Sequence, residues 1–205
     1  MRPQIISDDL LLSLQDSMLE ILGQDELEGL LRLSDLEQSI RAEKPHEVRD
    51  STYSAQVSRL FEALENKYGL SSGWGLGFRI GRVLFTRILR AYGAALGLDG
   101  NSFRLLPPPN KIRSGLRILS EWMQNQSDQI IQIDFQIDRI LWRQHRCLNC
   151  RERRSDQPLC FMTAGFLHEA MFWFSGGKFY KVKESECEAS GQSQCSFEIR
   201  LSPIQ

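Results

Sequence analysis

The chain of 205 residues lacks several features that would assign it to a functional class at once. Its 25 basic residues nearly balance its 26 acidic ones, so the composition gives no overall signature of nucleic-acid binding. No run of residues is long and apolar enough to cross a membrane. The N-terminus carries acidic residues where a secretion signal would be basic. We therefore expect a cytoplasmic protein without a transmembrane segment and without a nucleic-acid partner.

Cysteine is also scarce, with five residues in the chain. Cytoplasmic thiols stay reduced, so an odd number of cysteines points to metal binding or catalysis more than to disulfides. Internal repeats and low-complexity segments are absent. The length suggests one domain with room for an additional terminal element.

The charges are unevenly distributed along the chain. Acidic residues are concentrated in residues 7–50, and arginines in residues 79–117. Two interpretations are open. The two segments form solvated faces that attract each other, or the basic segment meets an anionic ligand or partner.

Helical spacing of apolar residues dominates the first part of the chain. It predicts helices over residues 7–22, 25–41, 52–68, 75–97 and 110–125. A run of three prolines separates the last two of these helices.

The hydrophobic period changes after residue 128. Residues 129–142 alternate between apolar and polar, which predicts two strands or one bent strand. A polar, basic loop over 147–158 and a helix over 160–174 follow, and strands over about 178–184 and 194–201 close the chain. This order predicts an α+β fold, with a helical N-terminal half packed on a small, mostly antiparallel sheet.

Three thiols and a carboxylate near the C-terminus could form a metal site. Cys187 and Cys195 lie on either side of a turn at Gly191, so a strand end and the next strand start would meet there. Glu184 precedes Cys187 by three residues, and Cys160 would reach in from the start of its helix. Tetrahedral zinc sites use such ligands. The alternative is that the cysteines pack as small apolar side chains.

Cys147 and Cys150 form a C-x-x-C pair on the basic loop. A redox role would require a helix N-terminus in a thioredoxin-like unit, and the pattern here is a strand end and a loop. The pair could instead add to the metal site or compete with it, or its thiols could simply pack within the loop.

Glycines 73, 75, 77 and 81 superficially resemble a dinucleotide-binding loop. No strand precedes them and no βαβ unit follows, so the fingerprint lacks its context. We expect these glycines to serve close helix packing. His145 and His168 lack a paired nucleophile or carboxylate at a diagnostic spacing, so structural roles are the default for both.

The C-terminal run C…G-F-x-x-E-A…G-G-K-x-Y-x-V-K-E-x-E-C-x-A-x-G-x-x-x-C-x-F-E-I resembles the 4-vinyl reductase domain family, a small-molecule-binding module. The resemblance is firm over about 140–200, weaker over about 70–140 and absent over 1–50. The matching residues are Cys160, Gly165, Phe166, Glu169, Ala170, Gly177, Val182, Glu184, Glu186, Cys187, Ala189, Gly191, Cys195, Phe197 and Ile199.

This resemblance implies a zinc site and a ligand cavity. The family includes the sensor domains of phenol- and toluene-responsive activators, and by analogy Cys160, Glu184, Cys187 and Cys195 would hold the zinc. A closed shell of four protein ligands makes such a zinc structural. In the sensors an apolar cavity lies between sheet and helices. The corresponding pocket residues here would be Phe135, Trp142, Phe166, His168, Phe172, Trp173 and Tyr180.

The resemblance also divides the chain and suggests a function. Residues 1–50 would be an N-terminal helical extension, with a hinge over about 42–51, and residues 51–205 the ligand-binding domain. The expected function is that of a zinc-stabilised carrier or assembly factor for a hydrophobic molecule. A chlorophyll-type tetrapyrrole in a photosynthetic organism is the leading ligand, and the protein could then lie at the periphery of a photosynthetic membrane.

Two alternatives stay open. The first is a tetrapyrrole vinyl reductase, although the sequence has no nicotinamide or flavin fingerprint and so favours a protein that is not an enzyme. The second is an interaction module, since the family resembles the TRAPP-type vesicle-tethering subunits in fold. In that case the protein would form a homodimer, and the acidic N-terminal helices would bind a protein partner.

Overall fold

The computed structural model of the chain describes residues 6–34 and 53–204. Within these ranges it has seven helices and a four-stranded antiparallel sheet near the C-terminus, which confirms the predicted α+β class. The hinge over 42–51, the boundary at residue 50 and the end of the helix predicted over 25–41 lie outside the described residues, so the division into two domains stays a prediction.

Six helices form the N-terminal part. The prediction that a helix restarts two residues after the prolines is corrected, because Pro108 itself opens the helix. Proline lacks an N–H that the first helical turn does not use. The helices are α1 (Asp8–Leu22), α2 (Gln24–Leu33), α3 (Tyr53–Tyr68), α4 (Leu70–Tyr92), the short α5 (Asn101–Arg104) and α6 (Pro108–Gln126).

The sheet has the order β1-β2-β4-β3, with every neighbouring pair antiparallel. The alternating segment forms two strands, because a tight turn in which the Gln136 N–H donates to the Arg139 carbonyl separates them. Helix α7 (Phe161–Phe174) connects β2 to β3. The strands are β1 (Ile130–Phe135), β2 (Arg139–His145), β3 (Tyr180–Glu186) and β4 (Cys195–Pro203).

Helices α4 and α7 cross in backbone contact. A Cβ atom added at Gly81 would lie 1.9 Å from the Met162 carbonyl oxygen, and one at Gly165 would lie 2.0 Å from the Phe78 carbonyl oxygen. Only glycine permits such an approach. The expected packing role therefore applies to Gly81, whereas a Cβ at Gly75 would meet nothing within 4 Å.

The acidic and basic segments meet where α1 packs on α4. The Arg87 guanidinium lies 3.3 Å from the Asp16 carboxylate and 2.9 Å from that of Glu20. The interpretation of mutually attracting faces therefore accounts for part of the charge asymmetry. None of the helices in residues 6–34 and 53–204 has the length and hydrophobicity that a membrane span needs.

Candidate metal centre and ligand pocket

One end of the sheet gathers the predicted metal ligands. Cys195 is the first residue of β4 and pairs with Gln144 near the end of β2. Cys187 follows the end of β3, and Cys160 lies immediately before α7. Antiparallel pairing thus brings a strand start, a strand end and a helix start to the same place.

The three predicted thiol ligands have the spacing of a tetrahedral site. The Sγ atom of Cys160 lies 3.8 Å from that of Cys187 and 3.7 Å from that of Cys195, and the latter two are 4.0 Å apart. Zinc–sulfur bonds of about 2.3 Å in a regular tetrahedron put sulfur atoms about 3.8 Å apart. The donor atoms of these cysteines and Glu184 all lie within 4.8 Å of one another, so the four residues could hold a metal ion.

The carboxylate of Glu184 supports this fit. Its Oε2 atom accepts a hydrogen bond of 2.8 Å from the Cys160 backbone N–H, whereas its buried Oε1 atom has no hydrogen-bond partner among the described residues. Burial, followed by the charge of Cys187, raises the pKa of Glu184 to about 9. A buried polar atom without a partner is destabilising, and a bound cation would satisfy this one.

The structure adds Cys147 and Cys150 to the cluster. The Sγ atoms of Cys147 and Cys160 are 3.4 Å apart, and so are those of Cys150 and Cys195. Cys147, Cys150, Cys160 and Cys195 form a second group whose donor atoms lie within 4.8 Å of one another. All five cysteines of the chain are buried here. The only sequence signal was the C-x-x-C spacing, which is common in zinc sites.

Polar contacts fix the loop that carries Cys147 and Cys150. The Glu188 carboxylate accepts hydrogen bonds of 2.9 Å from the backbone N–H groups of Arg146 and Cys147. Arg151 donates two bonds of 3.0 Å to Asp128, with both side chains buried. These contacts hold the loop by groups other than the sulfur atoms.

The loop is also joined to α3. Arg153 forms a buried ion pair with Glu65 and donates a bond of 3.1 Å to the Asn149 carbonyl. The Asn149 side chain accepts a bond of 3.0 Å from Thr163, in the first turn of α7. The loop therefore links α3 to the start of α7.

The thiols cannot all ionise by themselves. Burial, followed by hydrogen bonding with Cys147, raises the pKa of Cys160 well above its ordinary value. Burial opposes ionisation of Cys147 too, but hydrogen bonds from Cys150, Cys160 and Cys195 lower its pKa well below the ordinary value. The cluster therefore concentrates negative charge on some thiols and keeps protons on others, as expected for ligands that a cation would deprotonate together.

A cavity of 490 Å³ lies at the opposite end of the sheet. The first turns of α6, the β1–β2 turn and the outer ends of β3 and β4 surround it. Its wall is mainly apolar with a few polar groups, the usual composition of a small-molecule site. The lining includes Ile112, Arg113, Phe135, Ile140, Lys178, Tyr180 and Leu201.

The metal centre and this cavity are well separated. Strand β4 begins at Cys195 in the centre and reaches the cavity at Leu201. Six residues of extended strand span about 20 Å. A metal ion bound to the thiols therefore would not contact a molecule in the cavity.

Four of the predicted pocket residues lie in two different environments. Phe135 and Tyr180 line the cavity. Trp142 is fully buried and donates a bond of 3.2 Å to the Gln144 side chain. Phe166 is buried in the core, with its ring centre 5.7 Å from that of Phe85.

The other three predicted pocket residues lie along α7. The His168 and Phe172 rings stack on Phe179, with ring centres 5.6 Å and 4.7 Å away. Trp173 stacks on Phe103 at 6.0 Å. None of the three is among the lining residues of the 490 Å³ cavity, so the structure does not bring the whole predicted set together.

Comparisons with solved structures define the class of the fold. An H-NOX protein from S. oneidensis in the Fe(II)NO state aligns with a TM-score of 0.57 and 14% identity, over 98% of this chain and 100% of that chain. An oxygen-binding H-NOX domain related to soluble guanylate cyclases aligns with a TM-score of 0.57 and 15% identity, over 98% of this chain and 97% of that chain. The chain therefore has an H-NOX-like fold, and the likeness extends over the N-terminal helices.

The family comparison is more specific. Residues 142–201 match the family model of the 4-vinyl reductase domain, so this part of the chain belongs to that family. The match confirms the resemblance that the sequence motif indicated. It covers β2, α7, β3 and β4, and it includes all five cysteines and Glu184. A comparison with curated proteins found no match.

Proposed function

We propose that the protein is a zinc-stabilised binding protein that acts as a carrier or assembly factor for a hydrophobic ligand with an acidic group. A chlorophyll-type tetrapyrrole is the leading ligand. The observation that carries the proposal is the arrangement of a buried thiol–carboxylate centre at one end of the sheet and an apolar cavity at the other.

Zinc is the proposed metal because of the donor set. Three thiolates and one carboxylate suit a tetrahedral divalent ion. Four protein ligands leave no position open for a substrate, and the ion would tie together the start of α7, the end of β3 and the start of β4. The zinc would thus stabilise the fold and would not take part in a reaction.

The cavity supports an apolar ligand with an acidic group. Its 490 Å³ falls within the range of about 300–1,000 Å³ that is typical of small-molecule sites. Arg113 and Lys178 line it, and neither has an acidic ion-pair partner among the described residues. The Arg113 guanidinium lies 4.9 Å from the centre of the Phe135 ring. A flat, conjugated ligand with a carboxylate would match both the aromatic and the cationic groups.

The comparisons favour a tetrapyrrole within this ligand class. One of the similar solved structures, with a TM-score of 0.56 and 16% identity, is described in terms of heme redox potential and porphyrin distortion. The fold is thus compatible with a bound tetrapyrrole. A photosynthetic host, a homodimer and a place at the periphery of a membrane are further predictions that go with the carrier role.

The proposal is tested by binding of protoporphyrin IX and of its dimethyl ester, followed by tryptophan fluorescence quenching. We expect the free acid to bind at least about tenfold more tightly than the ester, because an ion pair shielded from water contributes about 1.5–3 kcal/mol. Arg113→Glu should remove this preference, whereas Arg104→Glu, an exposed arginine that does not line the cavity, should preserve it. Equal binding of acid and ester by the unmodified protein would contradict the proposal, as would turnover of a vinyl group with a reductant.

A further inference from the structure

We propose that the five cysteines and Glu184 bind two zinc ions, bridged by the thiolates of Cys160 and Cys195. This inference rests on the zinc centre proposed above and extends it. The first ion would have Cys187 and Glu184 as terminal ligands. The second would have Cys147 and Cys150, which the single-ion proposal does not use.

The composition of the two ligand groups points to a bridged pair. Each group has four residues with donor atoms within 4.8 Å of one another, and the groups share Cys160 and Cys195. Each ion would therefore have two terminal and two bridging ligands, which completes a tetrahedron for both. A single ion on either group would leave two buried donors of the other group without a metal.

The sulfur–sulfur distances agree with this arrangement. The bridging pair is 3.7 Å apart, and Cys187 lies 3.8 Å and 4.0 Å from the two bridging sulfur atoms. On the other side, Cys147 lies 3.4 Å from Cys160, and Cys150 lies 3.4 Å from Cys195. These values cluster around the edge of about 3.8 Å expected for tetrahedral zinc thiolates.

The charge of the centre also favours two ions. Five thiolates and one carboxylate carry six negative charges when ionised, so one zinc leaves four of them and two zinc ions leave two. Uncompensated charge in a buried site is strongly unfavourable. The remaining charge is met by N–H donors, because the Gln144 side chain donates to the Cys147 sulfur at 2.9 Å and the Glu188 backbone N–H to the Cys195 sulfur at 3.3 Å.

The loop with the second pair of ligands is held in position independently. Its ion pairs, Arg151 with Asp128 and Arg153 with Glu65, are buried and involve no sulfur. Outer contacts of this kind orient metal ligands and raise metal affinity. The loop therefore has the fixed geometry of a metal-binding element.

The test is the metal content of the purified full-length chain after equilibration with zinc, measured by mass spectrometry. We expect two zinc ions per chain, one in Cys147→Ser/Cys150→Ser and one in Glu184→Gln/Cys187→Ser. One ion in the unmodified chain that survives Cys147→Ser/Cys150→Ser would overturn the inference and leave the proposed function intact. One ion that this double substitution removes would overturn it and move the site to the four cysteines. No zinc would overturn both proposals, and iron with acid-labile sulfide would overturn the binuclear zinc assignment.

A second measurement keeps the inference testable if a variant does not fold. The unmodified chain loaded with ¹¹³Cd should give two cadmium resonances coupled to each other through the bridging sulfur atoms. A single resonance, or two without mutual coupling, would contradict the bridge.

Discussion

At the scale of single residues, two cysteines were placed less completely from sequence than the other three. The spacing of Cys187, Gly191 and Cys195 suffices to predict a hairpin-like turn that joins two thiols, because the contact is local. Cys147 and Cys150 reach the cluster because the end of β2 lies beside the start of α7. That proximity depends on long-range pairing of β2 with β4, which residue spacing does not encode.

The first prediction concerns Cys187. Cys187→Ser should lower the free energy of unfolding by at least about 3 kcal/mol, because loss of a ligand weakens a site whose metal binding is coupled to folding. Thermal unfolding with zinc present measures the effect. Ser193→Ala, an exposed position in the same β3–β4 connection, is the control and should change stability by less than about 0.5 kcal/mol. An unchanged melting temperature in Cys187→Ser would show that the site is not structural.

The second prediction concerns the ion pair behind the loop. Arg153→Met should destabilise the protein by about 3–5 kcal/mol, because Glu65 would remain buried without its partner. The double variant Arg153→Met/Glu65→Met should recover much of that loss, since neither charge then stays buried. Chemical denaturation of the two single variants and the double variant measures the coupling. Additive losses would show that the two side chains do not stabilise each other.

At the scale of elements, periodicity and punctuation predicted most of the fold. Helices α1, α3 and α7 lie within about two residues of their predicted ends, because Ser7 caps α1 and glycine follows α1 and α3. The start of α6 was misplaced because proline both ends one segment and opens the next. The short α5 has a single turn, too short for a hydrophobic period to appear.

The third prediction concerns the crossing of α4 and α7. Gly81→Ala and Gly165→Ala should each destabilise the protein by several kcal/mol, because the added methyl group would overlap backbone carbonyl oxygens of the opposite helix. Gly75→Ala is the matched control in the same helix as Gly81, since its Cβ would meet nothing within 4 Å. That substitution should be neutral or stabilising by up to about 1 kcal/mol. Thermal unfolding of the three variants measures the difference, and equal effects at all three positions would contradict the close crossing.

At the scale of the whole molecule, the fold separates its metal centre from its ligand cavity along the same strands. β4 runs from Cys195 in the centre to Leu201 in the cavity. The zinc ligands could be assigned from a family motif, but the cavity could not, because its wall combines residues from α6, the β1–β2 turn and β3. Aromatic residues that looked equivalent in sequence, such as Trp142 and Tyr180, have different environments once the sheet forms.

The fourth prediction is that metal removal acts on stability and leaves the cavity competent. Chelation should lower the melting temperature of the unmodified chain toward that of Cys187→Ser. Below the melting temperature of the metal-depleted protein, affinity for protoporphyrin IX should fall only by the fraction of chains that unfold. Loss of binding in chains that circular dichroism shows to be folded would place the metal at the ligand.

The central claim is that the metal centre is closed and does not contact the ligand, and zinc-edge X-ray absorption of the full chain with and without protoporphyrin IX tests it most directly. We predict a four-coordinate, sulfur-dominated shell that does not change when the tetrapyrrole binds. A zinc shell that contains water, or one that gains a nitrogen or oxygen atom from the added tetrapyrrole, would contradict the account.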